Sequence, residues 1–412
     1  MSKKTFSIIS LGCFRNTYDS EVVAKRFLDK GYTFKKDTPS HCLIINTCGF
    51  ISSAKEESLS AIRQALDLKR KKKVKEVFVF GCLVARYKKD LEKFFPGVDQ
   101  WWGVERFGSP FSKRAKLTPS FIDFLKICEG CLNNCSYCVI PFIKGGFRSK
   151  PQEDVLREVK FLDKRGVREL NIIGQDITSW GRDLGQSRPT QLLKNILKQV
   201  NNIKWVRLLY THPKALEDSL IDLIASEPRI CKYIDLPIQH INDRILKMMN
   251  RKVTAELIVR LIKKIRKRIP GVVLRTSVIV GFPSETEKEF SQLLAFLKET
   301  KFDRLGAFIF SREEGTAAYN FDKQVHHSTK MRRYRELMNL QKEISLSANS
   351  RLIGKKLDVL VEEKDNNIFV GRTQYDAPEI DGAVFLKRKD LNIGDFYRAK
   401  IIDAYEYDLV GE

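Results

Sequence analysis

The chain has 412 residues, enough for two to four domains at roughly 150 residues each, so a single small module is excluded. Hydrophobic residues make up 43% and charged residues 30%, a globular balance, and no window reaches the roughly 18 uninterrupted apolar residues that a membrane span requires. Lys plus Arg outnumber Asp plus Glu by 74 to 51, a net charge of +23, which suits phosphate-rich partners such as RNA or the ribosome. Nine cysteines are too sparse for a disulfide scaffold. A reducing cytosol is the expected setting, where clustered cysteines mean metal or redox chemistry. Lys3-Lys4 and the apolar stretch Phe6 to Leu11 imitate a secretory signal, but the stretch is shorter than the roughly 7 to 15 residues of a signal core and Arg15 follows at once.

Residues 1–107 read as alternating strands and helices. Short β-rich runs at Phe6 to Leu11, Cys42 to Asn46 and Val77 to Phe80 enclose helical patterns at Asp19 to Lys30 and Ser52 to Lys73, which predicts a parallel α/β sheet. Cys13, Cys48 and Cys82 each follow the carboxyl end of one strand, 35 and 34 residues apart. Open parallel sheets bind ligands outside those ends, so the three thiols are expected at one sheet edge as a ligand set. Chance placement of small buried thiols is the alternative.

Residues 108–120, with two prolines and three serines, read as an exposed linker. In residues 121–328 six strand candidates alternate with helices, around Phe124, Leu170 to Gly174, Val206 to Tyr210, Tyr233 to Leu236, Val272 to Val280 and Leu305 to Phe310. Six βα repeats predict a partial (βα)6 barrel with its site at the carboxyl ends of the strands. Residues 329–350 form a charged connecting helix, and residues 351–412 change to short alternating strands with turns at Asp365-Asn366-Asn367, Asp381-Gly382 and Asn392-Ile393-Gly394, an all-β barrel. The fold class is α/β with this small β-domain appended.

Just after the first barrel strand stands Cys131-Leu-Asn-Asn-Cys135-Ser-Tyr-Cys138. CxxxCxxC wraps three thiolates around one metal centre, and a cubane held by three cysteines leaves one iron open to another ligand. The alternative is a structural zinc site closed by Cys128 together with Cys131, Cys135 and Cys138. Cys42 and Cys231 read as packed thiols, the basic run Lys69 to Lys75 as a solvated helix end, and His326-His327 as a polar loop without neighbours at ligand spacing. No phosphate-binding GxxxxGK[ST] loop occurs.

CxxxCxxC with an aromatic before its last cysteine, here Tyr137, resembles the radical S-adenosylmethionine (SAM) superfamily. The chain as a whole resembles the methylthiotransferases, which join a domain with three cluster cysteines, a radical SAM barrel and a C-terminal TRAM domain. Thr47-Cys48-Gly49-Phe50-Ile51, Glu129-Gly130-Cys131, Gly146-Phe147-Arg148-Ser149, Gln175-Asp176, Tyr233 to His240, Glu313-Glu314-Gly315-Thr316 and Ala377 to Gly382 resemble the RimO-type members, which act on the small-subunit ribosomal protein S-twelve. Cys128, in place of a small hydroxyl residue, and Ile177, in place of threonine, depart from the pattern.

The resemblance implies two 4Fe-4S clusters, one on Cys131, Cys135 and Cys138 and one on Cys13, Cys48 and Cys82. The first would bind SAM and cleave it to a 5′-deoxyadenosyl radical. The second would hold or donate the sulfur that a further SAM methylates, giving 3-methylthioaspartate on the ribosomal protein. Tyr137, Gly174, Gln175, Gln239, Arg275 and Gly281 correspond in position to SAM-binding sites of the superfamily. A plain turn accounts equally for Gly281, and neutralisation of a carboxylate for Arg275. A flavodoxin or ferredoxin is the implied electron donor, and the enzyme is expected to be cytoplasmic, monomeric and free of any membrane. Two other readings stand beside this one, a tRNA-adenosine methylthiotransferase of the MiaB type and a non-catalytic, zinc-stabilised RNA-binding protein. From Arg351 onward 10 basic residues face 13 acidic ones, a net of −3 on a chain of +23. A domain gripping tRNA should be positive, so this acidic barrel suits a basic protein partner better.

Overall fold

A computed structural model describes residues 4–104, 114–185 and 188–412. The N-terminal sheet runs β2-β1-β3-β4-β5, all parallel, from β1 (Thr5–Ser10), β2 (Thr33–Phe34), β3 (Ser40–Thr47), β4 (Val74–Gly81) and β5 (Gln100–Trp102). Its central strands are apolar on both faces because helices cover both. Ile44, Phe78 and Phe80 pack with Val23, Ala24 and Phe27 of α1 (Phe14–Asp29), while Leu43, Ile45, Val77 and Val79 pack with Ile62 and Ala65 of α2 (Ser52–Arg70) and with Leu83 and Leu91 of α3 (Cys82–Phe94). Cys42 lies inside β3 and is fully buried, the packed thiol expected of it. The first helix starts at Phe14, five residues before its predicted start. Tertiary packing extends it: Phe14 stacks on Phe124 of the next domain at 4.4 Å, and Tyr18, one turn on, enters the same core.

The central domain sets β6 (Ile122–Lys126), β9 (Glu169–Ile173) and β10 (Trp205–Leu208) in one parallel group and β11 (Tyr233–Asp235), β12 (Val273–Val280) and β13 (Arg304–Ile309) in another. The bridge Val206 to Ile230 spans the two groups. Among the described residues no ladder joins β6 to β13, so the six strands make an open, partial barrel. Between β6 and β9 a short antiparallel pair, β7 (Cys128–Glu129) and β8 (Arg148–Ser149), closes the loop that carries Cys131, Cys135, Cys138 and α4 (Ile140–Lys144). The helices α5 (Gln152–Lys164), α6 (Pro189–Leu197), α7 (Asp218–Ser226), α8 (Asp243–Met248), α9 (Ala255–Arg268) and α10 (Glu287–Thr300) follow in chain order, and α11 (His327–Ser350) leads out of the barrel.

The C-terminal domain is a closed five-stranded barrel, β14-β15-β16-β18-β17, built from β14 (Lys356–Asp365), β15 (Ile368–Thr373), β16 (Val384–Leu386), β17 (Phe396–Ala404) and β18 (Leu409–Gly411). It plugs the amino ends of the central strands. Leu360 and Ala377 share a core with Phe121, Phe124 and Tyr233, and Phe396 meets Trp205 edge-on at 4.7 Å. One expectation needs correction. The described part of the 108–120 segment is not an exposed linker: Arg114 is buried and its guanidinium meets Glu21, Asp123 and Glu158, tying α1 to the central domain, while residues 108–113 lie outside the described ones. Glu362 of β14 is half-buried, its carboxylate paired with the buried Arg372.

Candidate active site at the carboxyl ends of two sheets

Cys13 caps α1, Cys48 follows β3 directly and Cys82 opens α3 after β4, so three strand-to-helix turns deliver the three thiols. Gly12 makes the approach possible: a Cβ there would lie 2.9 Å from Cys48 Cβ and 3.1 Å from its sulfur. Burial raises the Cys48 thiol, and raises Cys82 to about 12. Cys13 differs. Burial pushes it up as well, but the charge and the hydrogen bond of Arg15, with the backbone N–H groups of Asn16 and Arg15, leave it below its ordinary value. Arg15 Nε donates to Cys13 Sγ at 3.4 Å.

The second set hangs from the loop after β6. Asn133 donates its backbone N–H and its side-chain amide to Cys131 Sγ at 3.3 and 3.5 Å, Arg251 reaches Cys135 Sγ at 3.8 Å, and the Cys138 N–H closes a turn onto the Cys135 carbonyl. Burial raises the Cys131 thiol and takes Cys138 to about 12. Cys128 turns away from this set. Its thiol donates to the Asp176 carbonyl at 3.4 Å and packs so tightly on Gly174 that a Cβ there would sit 2.3 Å from the sulfur. It is a core thiol, and Gly174 is glycine to make room for it.

Beneath both sets lies a buried quartet. Lys144 Nζ contacts Asp19 at 3.0 Å and Glu129 at 2.9 Å, and Lys126 contacts the same two carboxylates, each side chain no more than 5% exposed. Asp19 comes from α1 and the other three from the central domain, so the charges pin one cysteine set against the other. On the far side Glu313, 2% exposed, takes Arg86 and Lys55 of the N-terminal domain at 2.8 and 2.9 Å.

The structure distributes the remaining predicted residues unevenly. Tyr137 is half-buried, and its hydroxyl is pushed up by burial and then by Cys135. Gln175 follows Gly174, and neither atom of its buried amide has a partner among the described residues. Gln239 adopts φ +69° and bridges to β12 through its backbone. Gly281, at φ +72°, donates its N–H to Glu285, which also takes His240 Nε2 at 3.1 Å and Arg333 at 2.8 Å. Arg275 is held by Asp235 at 3.0 Å and by Asp381 of the C-terminal domain at 3.6 Å. Three residues were missed. Arg251, 6% exposed beside Cys135, leaves Nε and His212, 5% exposed, leaves Nε2 without a partner among the described residues. Their relation to the site exists only in three dimensions. Arg15 carried a signal in the sequence, a cation two residues past an expected ligand cysteine in a first helical turn, where the helix dipole disfavours it.

The donor sets fit iron-sulfur clusters. Each set offers three thiols and no fourth, and buried amide and guanidinium atoms without partners stand beside Cys135 and at the end of β9. Among the described residues no three Cys, His, Asp or Glu side chains stand close enough for one ion. Thiolates of a cubane each take a different iron and stand farther apart.

The description "Radical SAM superfamily" matches residues 125–297, "TRAM domain" residues 353–412 and "Uncharacterized protein family UPF0004" residues 5–103. Proteins named ribosomal protein uS12 methylthiotransferase RimO match end to end. That of Desulforamulus reducens is 44% identical over 99% of both chains, and that of Geobacter sulfurreducens 41% over 100% of this chain and 99% of its own. Among solved structures, the radical SAM methyltransferase TsrM from Kitasatospora setae aligns with a TM-score of 0.52 over 77% of each chain at 14% identity, a likeness of fold. With two three-cysteine sets facing each other across an α/β sheet and an open barrel, and relatives this similar along its whole length, the chain belongs to the RimO family of radical SAM methylthiotransferases.

Proposed function

We propose that this enzyme converts a C–H bond of an aspartyl side chain on ribosomal protein uS12 into a methylthio group. The observation that carries the reading is the end-to-end similarity to uS12 methylthiotransferases, which spans all three domains and both cysteine sets. Cys131, Cys135 and Cys138 would hold one 4Fe-4S cluster and Cys13, Cys48 and Cys82 the other. When bound, the clusters and SAM supply electron transfer, a carbon radical, sulfur and a methyl group. The chain itself holds and orients. Gln175 offers an amide donor and acceptor, Arg251 a guanidinium N–H and His212 an imidazole N–H, all to a polar ligand, and Tyr137 covers the Cys135 side. The C-terminal barrel closes the amino ends of the strands, which leaves reaction and recruitment at opposite ends. Its net charge of −3 suits a basic ribosomal protein, with Glu363 and Asp365 on its exposed edge. Among the described residues no helix is long and apolar enough to cross a membrane. A monomer working in the cytoplasm with a flavodoxin or ferredoxin as reductant completes the reading.

Mass spectrometry of uS12 and of tRNA nucleosides, from cells with and without this protein, tests it. The mass of a methylthio group on a uS12 aspartate should depend on the protein. Dependence of a tRNA adenosine modification instead would move the enzyme to the MiaB type, and no change in either would overturn both assignments.

A further inference from the structure

Arg15 is a cation in an unusual place. It occupies the first turn of α1, where the helix dipole is positive and no acidic residue compensates. Among the described residues no carboxylate lies within ion-pair distance of it. Its contacts lead instead to both halves of the site. Nε donates to Cys13 Sγ at 3.4 Å, Nη1 donates to the Gly174 carbonyl past the end of β9 at 3.2 Å, and the guanidinium lies over the Tyr210 ring past the end of β10 at 4.7 Å. It is near enough to act electrostatically on Cys13, Cys48 and Cys82 of one domain and on Cys138 of the other. Lys144, the other cation near Cys82, already shares two carboxylates. Arg15 has no such competitor.

We propose that Arg15 is the shared counter-ion of the two cysteine sites, held between them by Gly174 and Tyr210, and that it eases reduction of both clusters at once. The inference rests on the two-cluster reading above. A cubane with three thiolates is an anion and gains a further negative charge on reduction, and net charge is one of the terms that set its potential. Two such anions facing each other oppose each other's reduction. A fixed cation between them, partly shielded from water, counters that repulsion where solvent screening is weak. The Gly174 carbonyl and the Tyr210 ring orient the guanidinium without neutralising it, so its whole charge remains for the sulfur ligands.

The test is EPR-monitored reductive titration of the reconstituted full-length protein, with dithionite supplying one electron to each cluster. R15Q should make both clusters harder to reduce, by about tenfold in each equilibrium, or about 59 mV for a one-electron couple. R15K keeps the charge while losing the fork to Gly174 and should restore most of both shifts. The shared role is overturned if R15Q moves neither potential or only that of the cluster on Cys13, Cys48 and Cys82. It is overturned equally if R15K shifts both potentials as far as R15Q, since orientation rather than charge would then be at work. Should R15Q load poorly, Tyr210→Leu gives a second measurement, because freeing the guanidinium from its seat should lower both potentials in the same direction; unchanged potentials there would also count against the proposal. Wild-type protein that takes up no iron-sulfur cluster would refute the two-cluster reading itself, whereas two well-formed clusters with potentials indifferent to Arg15 would refute this inference alone.

Discussion

The two ends of the central barrel are both rich in buried charge, yet they use it in opposite ways. At the amino ends, cations meet carboxylates in closed sets. Arg207 and Arg372 share Glu169, Arg304 binds Asp376 at 2.6 Å, Arg275 lies between Asp235 and Asp381, and the Tyr233 hydroxyl donates to Asp381 at 2.6 Å. These contacts join the central domain to the C-terminal barrel, and each of these carboxylates is paired with a cation or a hydroxyl, while Arg372 Nε stays without a partner among the described residues. At the carboxyl ends the balance is left open. Arg15 faces thiols rather than carboxylates, and Gln175, His212 and Arg251 keep buried atoms without partners. Buried atoms without partners occur at both ends and cost free energy at either, so what separates the ends is the partner of the cations, carboxylates in the seam and thiols at Arg15.

The largest expected effects lie at the open end. Cys131→Ala, Cys135→Ala or Cys138→Ala should abolish formation of 5′-deoxyadenosine from SAM. Cys13→Ala, Cys48→Ala or Cys82→Ala should leave that cleavage measurable and stop the methylthio product. Chromatography of both products from one reaction distinguishes the sets, and equal loss of cleavage in both, with the remaining cluster intact by absorption, would erase the division between them. At the closed end the effect should be on stability. Arg372→Ala leaves Glu169 buried with half its compensation gone, a loss of about 3 to 5 kcal/mol in denaturant unfolding. SAM cleavage per folded molecule should be unchanged, because Arg372 lies at the far end of the strands; a drop in that specific rate would show the two ends to be coupled.

This contrast was only half legible in the sequence. The cysteines could be placed because each follows a short apolar strand, and strand ends in parallel sheets converge by topology alone. The six central strands were legible for the same reason, as β-rich runs between amphipathic helices. The charge seam was not. Glu169, Arg207 and Arg372 are far apart in the chain and carry no spacing pattern, so only the docking of the C-terminal barrel brings them together. Arg114 was misread as linker because a basic residue among prolines and serines gives no sign that Glu21, Asp123 and Glu158 will surround it. Gly174 carries a second constraint that the sequence does not show. Its position suggested a cofactor contact, whereas the structure first requires a glycine there so that Cys128 can pack.

His212 offers the finest test of the open end, through pH. Its Nδ1 accepts the Lys214 backbone N–H at 3.2 Å, which assigns the neutral ring's proton to Nε2, the atom that has no partner among the described residues. Burial lowers its pKa to about 3, and the charges of Arg251, Lys214 and Arg182 push in the same direction. The unfolded chain's imidazole takes its proton near pH 6.5, while the folded one resists until far lower. The folded state's advantage is therefore complete above about pH 6.5 and is lost progressively as pH falls from there towards 3. By pH 5 the loss should be about 2 kcal/mol, from roughly 1.4 kcal/mol per pH unit over the last one and a half units. His212→Asn cannot titrate there. Urea unfolding of both proteins at pH 7 and pH 5 isolates the effect, since changes common to the two cancel in the difference. The wild type should lose about 2 kcal/mol more than the variant between those pH values. Parallel losses would mean that the ring already takes up its proton in the folded state, and that this part of the carboxyl-end face is wet and open rather than dry.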